Sequence, residues 1–391
     1  MNNKKGNVLA IGIMFFLFAM ISFVTGLQNP MGIIAKAQFG ATNFMSQLGN
    51  AANFIAYAFM GLPAGFLLKG KGYKFTALAA VSVGFVGVGI SYLSGVLGSF
   101  PVYLAGAFVS GFSMCMLNTV VNPLLNTLGG GGNKGNQLIQ LGGSVNSLSA
   151  TIVPVLAGYL IGEVTEKTQV ADVNLALFTA MGIFALAFAI ILFSSIPEPE
   201  LEAAAAAGVQ EKESTLESIK GALSFKNFVF GAIAIFLYVG IEVGIPNVAN
   251  LYMTDVQGLN IATAVAGSLV GAYWFLMLVG RLVGSVIGGK VSSKAMMVAV
   301  SSAAILFFVL CGLCTSVMWG AVFNLAVEGL GKYTSIASGL FMVMVCGGGV
   351  LPLVQGAVAD LAGYINSYWV LVAALAYMLW FALVGSKPKR F

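Results

Sequence analysis

The chain of 391 residues contains no histidine, and only 8% of its residues are charged. A missing histidine removes the commonest general base and the commonest metal ligand. Soluble domains carry about 25% charged residues, so this chain cannot cover a globular surface facing water. Cysteine is scarce as well. Cys115, Cys311, Cys314 and Cys346 all lie in apolar runs, so neither a disulfide framework nor a redox compartment can be read from them. The net charge of +5 sits in short loops, which argues against an acidic partner such as nucleic acid. No cleavable signal peptide is evident, because the first apolar run continues for over about 20 residues without a small-residue cleavage pattern.

What is present is apolar surface. Hydrophobic residues make up 59%, with 50 glycines and 10 prolines, and the mean hydropathy is +0.96. Glycine and proline are both frequent in membrane helices. A spanning helix needs about 20 residues. Allowing for one loop of about 25 residues and short tails, the chain holds about 12 spans. The pattern predicts an all-α membrane protein and excludes a soluble enzyme, a disordered chain and a single-anchor protein. Spans are expected at 8–29, 44–68, 76–97, 101–126, 138–162, 173–195, 226–252, 262–289, 295–315, 316–331, 334–358 and 366–386.

The longest polar stretch, 197–225, divides the chain. It reads as a cytoplasmic linker, partly an amphipathic helix, between an N-terminal bundle of six spans (1–196) and a C-terminal one (226–391). With both termini inside, 16 of the 18 basic residues become cytoplasmic and only Lys36 and Lys167 fall outside. The region between Lys294 and Lys332 is short for two spans. The run Leu306–Leu330 reads as one full helix, which leaves span nine truncated. A weak internal repeat links 122–158 to 323–356: a helix end, a Gly/Lys turn, a Gly-rich helix and a proline, Pro154 or Pro352. Repeated halves point to a transporter with a site near mid-membrane.

Of the thirteen acidic residues, twelve lie at expected span ends or loops. Glu242 lies 16 residues after Lys226 and 13 before Asp255, near the bilayer midplane. A carboxyl there costs roughly 2.5–3.5 kcal/mol to insert, so it must be protonated, ion-paired or coordinating a cation. No basic residue is expected at that depth. Arg281 lies nine residues before Lys290 and is expected to snorkel or to hold helices near the inner end. Carboxamides form a second set: Gln28, Asn29, Asn50, Asn53, Asn118, Asn122, Gln140, Asn146, Asn247, Asn250, Asn324 and Gln355. They donate and accept, which suits sugar hydroxyls, though any one of them serves equally to join helices. Phe18, Tyr57, Tyr238, Tyr273 and Trp274 offer ring faces for stacking. Gly129–Gly132 is followed by Asn133-Lys134-Gly135 and so lacks the phosphate-loop pattern.

Several of these segments share a family pattern. Phe23-Val24-Thr25-Gly26-Leu27-Gln28-Asn29, Asn118-Thr119-Val120-Val121-Asn122-Pro123, Asn146-Ser147, Phe236-Leu237-Tyr238-Val239-Gly240-Ile241-Glu242, Tyr273-Trp274 and Gly280-Arg281 carry it. At these residues the chain resembles the fucose/galactose/glucose symporter family of the major facilitator superfamily, patchily over nearly its whole length. The resemblance implies a 12-helix fold of two six-helix bundles and import of a hexose or deoxyhexose with a cation, proton or sodium, by alternating access. The carboxamides Gln28, Asn29, Asn118, Asn122, Asn146 and Asn247 are expected to contact the substrate, and Glu242, from its depth, to couple the ion. Asn29 and Asn118 stand where the proton-coupled branch has acids, and Gly143 stands where the family has Gln. Glu242 is thereby left as the single deep titratable group. An uncoupled sugar facilitator and a small-molecule exporter remain the competing readings. A monomer in the inner (plasma) membrane, without catalytic residues, metal or cofactor, is expected.

Overall fold

The computed structural model describes residues 2–39, 43–161, 170–199, 201–202, 215–254, 259–261, 263–306 and 311–390. Among them the chain is helical throughout, with one isolated antiparallel bridge between Phe225 and Arg390. Seven helices are long and apolar enough to cross a membrane, and two shorter apolar helices, Gly271–Ile287 and Gly312–Val327, accompany them. Their outward faces carry large apolar side chains, such as Phe193 at 87% exposure and Leu361 at 89%. Such faces match hydrocarbon rather than water.

The contacts divide the chain into two compact units. The first comprises residues 1–125, 148–213 and 338–343. It contains α1 (Asn2–Phe39), α2 (Asn43–Leu97), most of α3 (Phe100–Leu128) and α5 (Asn174–Phe193), with α2 packed on α1 and α5. α2 is two spans joined at Gly72, whose φ of 82° breaks the helix. A side chain is strained there, which is why glycine suits the position. The chain restarts by borrowing a cap. Tyr73 and Lys74 donate their backbone N–H groups to Glu198 Oε2 and Oε1 at 2.6 and 2.8 Å. Lys74 returns the favour to the end of α5, its Nζ donating to the carbonyls of Leu192 and Ser194 at 2.9 and 2.8 Å. Acid at a helix start and base at a helix end both oppose the helix dipole favourably.

The second unit comprises residues 126–147, 214–337 and 344–391. α6 (Thr215–Leu223) precedes α7 (Lys226–Thr254), the helix that the others surround: α8 (Thr263–Ile287), α11 (Met318–Val327), α13 (Gly347–Ala362) and α14 (Tyr364–Trp380). α7 and α13 run parallel with matched four-residue steps. Phe236 faces Gly347, Gly240 faces Leu351 and Gly244 faces Gln355. Small residues in this ridge let the helices meet closely without a hydrophobic drive from water. Two turns of the expected repeat use the same chemistry: Gly130, Gly131 and Gly132 in one, Gly329 and Gly331 in the other, all at positive φ.

α9 is Ser293–Leu306, and the described residues resume at Cys311; the expected shortening of span nine falls at residues 307–310, outside the described residues. The single helix expected over Leu306–Leu330 does not form. α10 (Cys311–Thr315) and α11 are separated by a turn at Ser316–Val317. The break has donors of its own. Arg281 Nε donates to the Ser316 carbonyl at 3.2 Å and Gln140 Nε2 to the Val317 carbonyl at 2.6 Å. The Ser316 carbonyl thus takes a side-chain donor, while that of Val317 accepts both Gln140 and the Ala321 N–H, at 3.2 Å. Of the linker, residues 203–214 lie outside the described residues.

Candidate functional site

The site in the second unit starts from a proline. Pro246 lies inside α7 and supplies no N–H, so the carbonyl of Glu242, four residues earlier, has no helical donor. The hydroxyl of Tyr273, on α8, donates to it at 3.3 Å and lies 3.3 Å from Thr315 Oγ1. The Glu242 side chain is engaged separately. Its Oε1 accepts from Arg281 Nη2 at 2.9 Å, in an ion pair whose side chains are 14% and 10% exposed. The guanidinium has further acceptors. Nη1 donates to the Gly143 carbonyl at 3.2 Å and to Ser147 Oγ at 2.6 Å, and Nε takes the Ser316 carbonyl. One turn before Glu242, Tyr238 is fully buried, its ring edge-to-face with Trp319 at 6.2 Å.

This corrects one expectation. Arg281 does not snorkel; it is 8% exposed and pairs with the carboxylate of Glu242. Helical side chains lean toward their helix's N-terminus. That direction carries the guanidinium of Arg281 from the inner end of α8 back toward mid-span. Gly143, where the family pattern has Gln, serves through its carbonyl. A Cβ built there would sit in ordinary contact with Arg281, at 3.5 Å from Cδ and 3.7 Å from Nε. Asn146, next to Ser147, is half-buried and has a partner.

The first unit holds the other polar cluster. Asn118 Nδ2 donates to Tyr57 Oη and to the Met114 carbonyl, both at 3.1 Å. Asn122 Nδ2 donates to the Asn118 carbonyl at 2.9 Å and lies 3.4 Å from its Oδ1. Both asparagines are buried. Asn118 and Asn122 are therefore together, and Glu242 is brought to Ser147 through Arg281. Gln28, Asn29 and Asn247 lie on α1 and α7, but their side chains fall outside the described residues. Sequence reasoning missed Arg281, the Gly143 carbonyl and the Thr315–Ser316 turn as members of the Glu242 cluster. Only Gly280-Arg281 carried a signal, in the family pattern.

Chemically, the Glu242–Arg281 pair is neutral as a whole and tightly held. A proton or cation that displaced Arg281 Nη2 from Oε1 would free a guanidinium that also holds Gly143, Ser147 and Ser316. Among the described residues no group of His, Cys, Asp and Glu can hold a metal ion.

Known proteins share this architecture. A glucose/galactose transporter of Brucella abortus biovar 1 (strain 9-941) is 29% identical over 406 residues, covering 99% of this chain and 96% of the relative. The L-fucose-proton symporter of Escherichia coli K12 is 22% identical over 401 residues, covering 94% and 90%. The crystal structure of the transporter FucP in the outward conformation superposes with a TM-score of 0.84 at 19% identity, covering 98% of this chain and all of that one. The twelve-helix transporter fold is the one expected. The family's sequence model matches residues 11–383, and the chain belongs to the Major Facilitator Superfamily, as a transporter and not an enzyme.

Proposed function

We propose that this protein imports a hexose or deoxyhexose together with a cation by alternating access. The observation that carries the coupling half is the Glu242–Arg281 pair, a buried carboxylate whose charge is balanced by a single breakable partner. Glu242 is taken as the coupling residue. A sugar is favoured by the names of the relatives, glucose/galactose transporter and L-fucose-proton symporter. The carboxamides Gln28, Asn29, Asn118, Asn122, Asn146 and Asn247 are the proposed hydroxyl contacts.

Proton stands ahead of sodium. A sodium ion needs several oxygen ligands, and the place beside this carboxylate is filled by a guanidinium. A proton needs only one lone pair. The protein is taken as a monomer in the inner membrane with both termini cytoplasmic, its bundles 1–196 and 226–391 joined by the linker 197–225. The uncoupled facilitator has one observation in its favour: Arg281 already neutralises Glu242 without any ion.

Purified protein in liposomes separates the readings. Uptake and counterflow are measured over a panel of hexoses, with proton and sodium gradients imposed in turn. Glu242→Gln is expected to abolish gradient-driven accumulation while counterflow persists. If Glu242→Gln still concentrates sugar against its gradient, Glu242 is not the coupling residue and the uncoupled reading replaces this one.

A further inference from the structure

Among its described residues the first unit holds a buried amide donor with nothing to receive it, beside a phenol that accepts a hydrogen bond and donates none. Asn53 is 3% exposed and its Nδ2 has no partner. Four residues on, Tyr57 is buried, and its hydroxyl oxygen accepts from Asn118. The phenol's own proton has no acceptor among the described residues. Residues four apart share one helix face, so Asn53 and Tyr57 form a short row on α2. Both lie about 15–21 Å from the first residue of that helix, well inside the span.

An orphaned buried donor costs roughly 1–3 kcal/mol, and buried polar groups are rarely left so. Slack in the packing does not explain it. Gly111 of α3 lies against the Asn53 backbone so closely that a Cβ there would come within 2.6 Å of the Asn53 carbonyl oxygen and of Ala56 Cβ. The backbones of α2 and α3 therefore touch at this level, which holds the row in place. Two unmatched donors call for acceptor oxygens. They repel a cation, and their neighbours Ala56, Gly111, Met114, Cys115 and Asn118 carry no charge to favour an anion.

We infer that Asn53 and the Tyr57 hydroxyl bind oxygens of a neutral, polyhydroxylated substrate, so that Asn53 is a specificity-determining residue. This rests on the sugar reading above and adds to it a contact on α2. Asn53 Nδ2 donates to one substrate hydroxyl oxygen and Tyr57 Oη to a neighbouring one. Asn118 remains the donor that orients Tyr57.

The test uses full-length protein in liposomes, with counterflow kinetics for the best hexose and for its series of single-deoxy analogues. Asn53→Leu removes the amide at similar volume. Its KM for the hexose is expected to rise about tenfold, while thermal unfolding in detergent stays level or moves upward, because an unsatisfied donor has gone. For the deoxy analogue lacking the contacted hydroxyl, wild type and Asn53→Leu are expected to have equal KM. Tyr57→Phe is expected to show the same pattern at a different deoxy position. If Asn53→Leu lowers the unfolding temperature and leaves KM unchanged, or weakens every analogue alike, Asn53 is structural and the assignment fails while the sugar reading stands. A wild type that moves no hexose in the panel overturns both.

Discussion

Removing one partner of a buried ion pair costs far more than the pair itself is worth, because the other charge is stranded. The two partners here are not equally exposed to that cost. Arg281 keeps three other acceptors, the Gly143 and Ser316 carbonyls and Ser147 Oγ, if Glu242 is lost. Among the described residues the Glu242 carboxylate has only the neighbouring Tyr238 hydroxyl if Arg281 is lost. Arg281→Gln is therefore expected to destabilise by roughly 3–5 kcal/mol, and Glu242→Gln by clearly less. The double variant should recover part of the Arg281→Gln loss. Unfolding of the four proteins in detergent measures this cycle, and strictly additive losses would show that the two charges do not interact. The depth of Glu242 was legible from simple counting between Lys226 and Asp255. The partner was not, because counting places the Cα of Arg281 and says nothing of where a long side chain reaches.

At the scale of elements, breaks decide where functional groups go, and the sequence shows some kinds better than others. Prolines announce themselves: Pro246 frees the Glu242 carbonyl, and Tyr273 takes it. The break at Ser316–Val317 is made by donors from Arg281 and Gln140, remote in sequence, so the apolar run through it looked continuous. Glu198 shows a third kind, a cap lent across 124 and 125 residues to the restart of α2 after Gly72. Its burial raises the carboxyl above the ordinary value of 4.5, against the two backbone donors and the charge of Lys74, which pull it down. The folded protein therefore binds this proton more readily than the unfolded chain does. The group's contribution to stability is present below the unfolded value and is lost as pH rises through the higher folded one. Glu198→Gln keeps an acceptor for the restart but does not titrate. Unfolding temperature plotted against pH, from below the carboxylate range up to neutrality, should fall less steeply across that interval in the variant. An unchanged slope would mean that another group carries the dependence.

For the whole molecule, orientation is the property that rests on the fewest residues and is the most exposed to test. An ammonium is costly to carry across a bilayer, so short loops rich in Lys and Arg stay on the cytoplasmic side. With both termini taken as cytoplasmic, Lys36 and Lys167 fall outside, Arg281 lies within α8, and the other fifteen of 18 basic residues fall on the inner side; an even number of spans is the arrangement that produces such a separation. Span count was legible in hydropathy for the same reason: lipid demands long apolar helices, and seven helices among the described residues are long and apolar enough to cross, one of them, α2, holding two spans joined at Gly72. The region between Lys294 and Lys332 falls below that signal among the described residues, where α11 has only 10 residues, and had to be placed by charge spacing. Orientation is checked by replacing the four native cysteines and introducing one new cysteine at a time. A cysteine within 203–214 should resist a membrane-impermeant maleimide on intact cells and react once the membrane is permeabilised. A cysteine at Lys167 should react on intact cells. Labelling of the 203–214 position from outside would invert the molecule, placing the fifteen basic residues expected in cytoplasmic loops and span ends on the wrong face and moving Glu198 and Lys74 to the extracellular side.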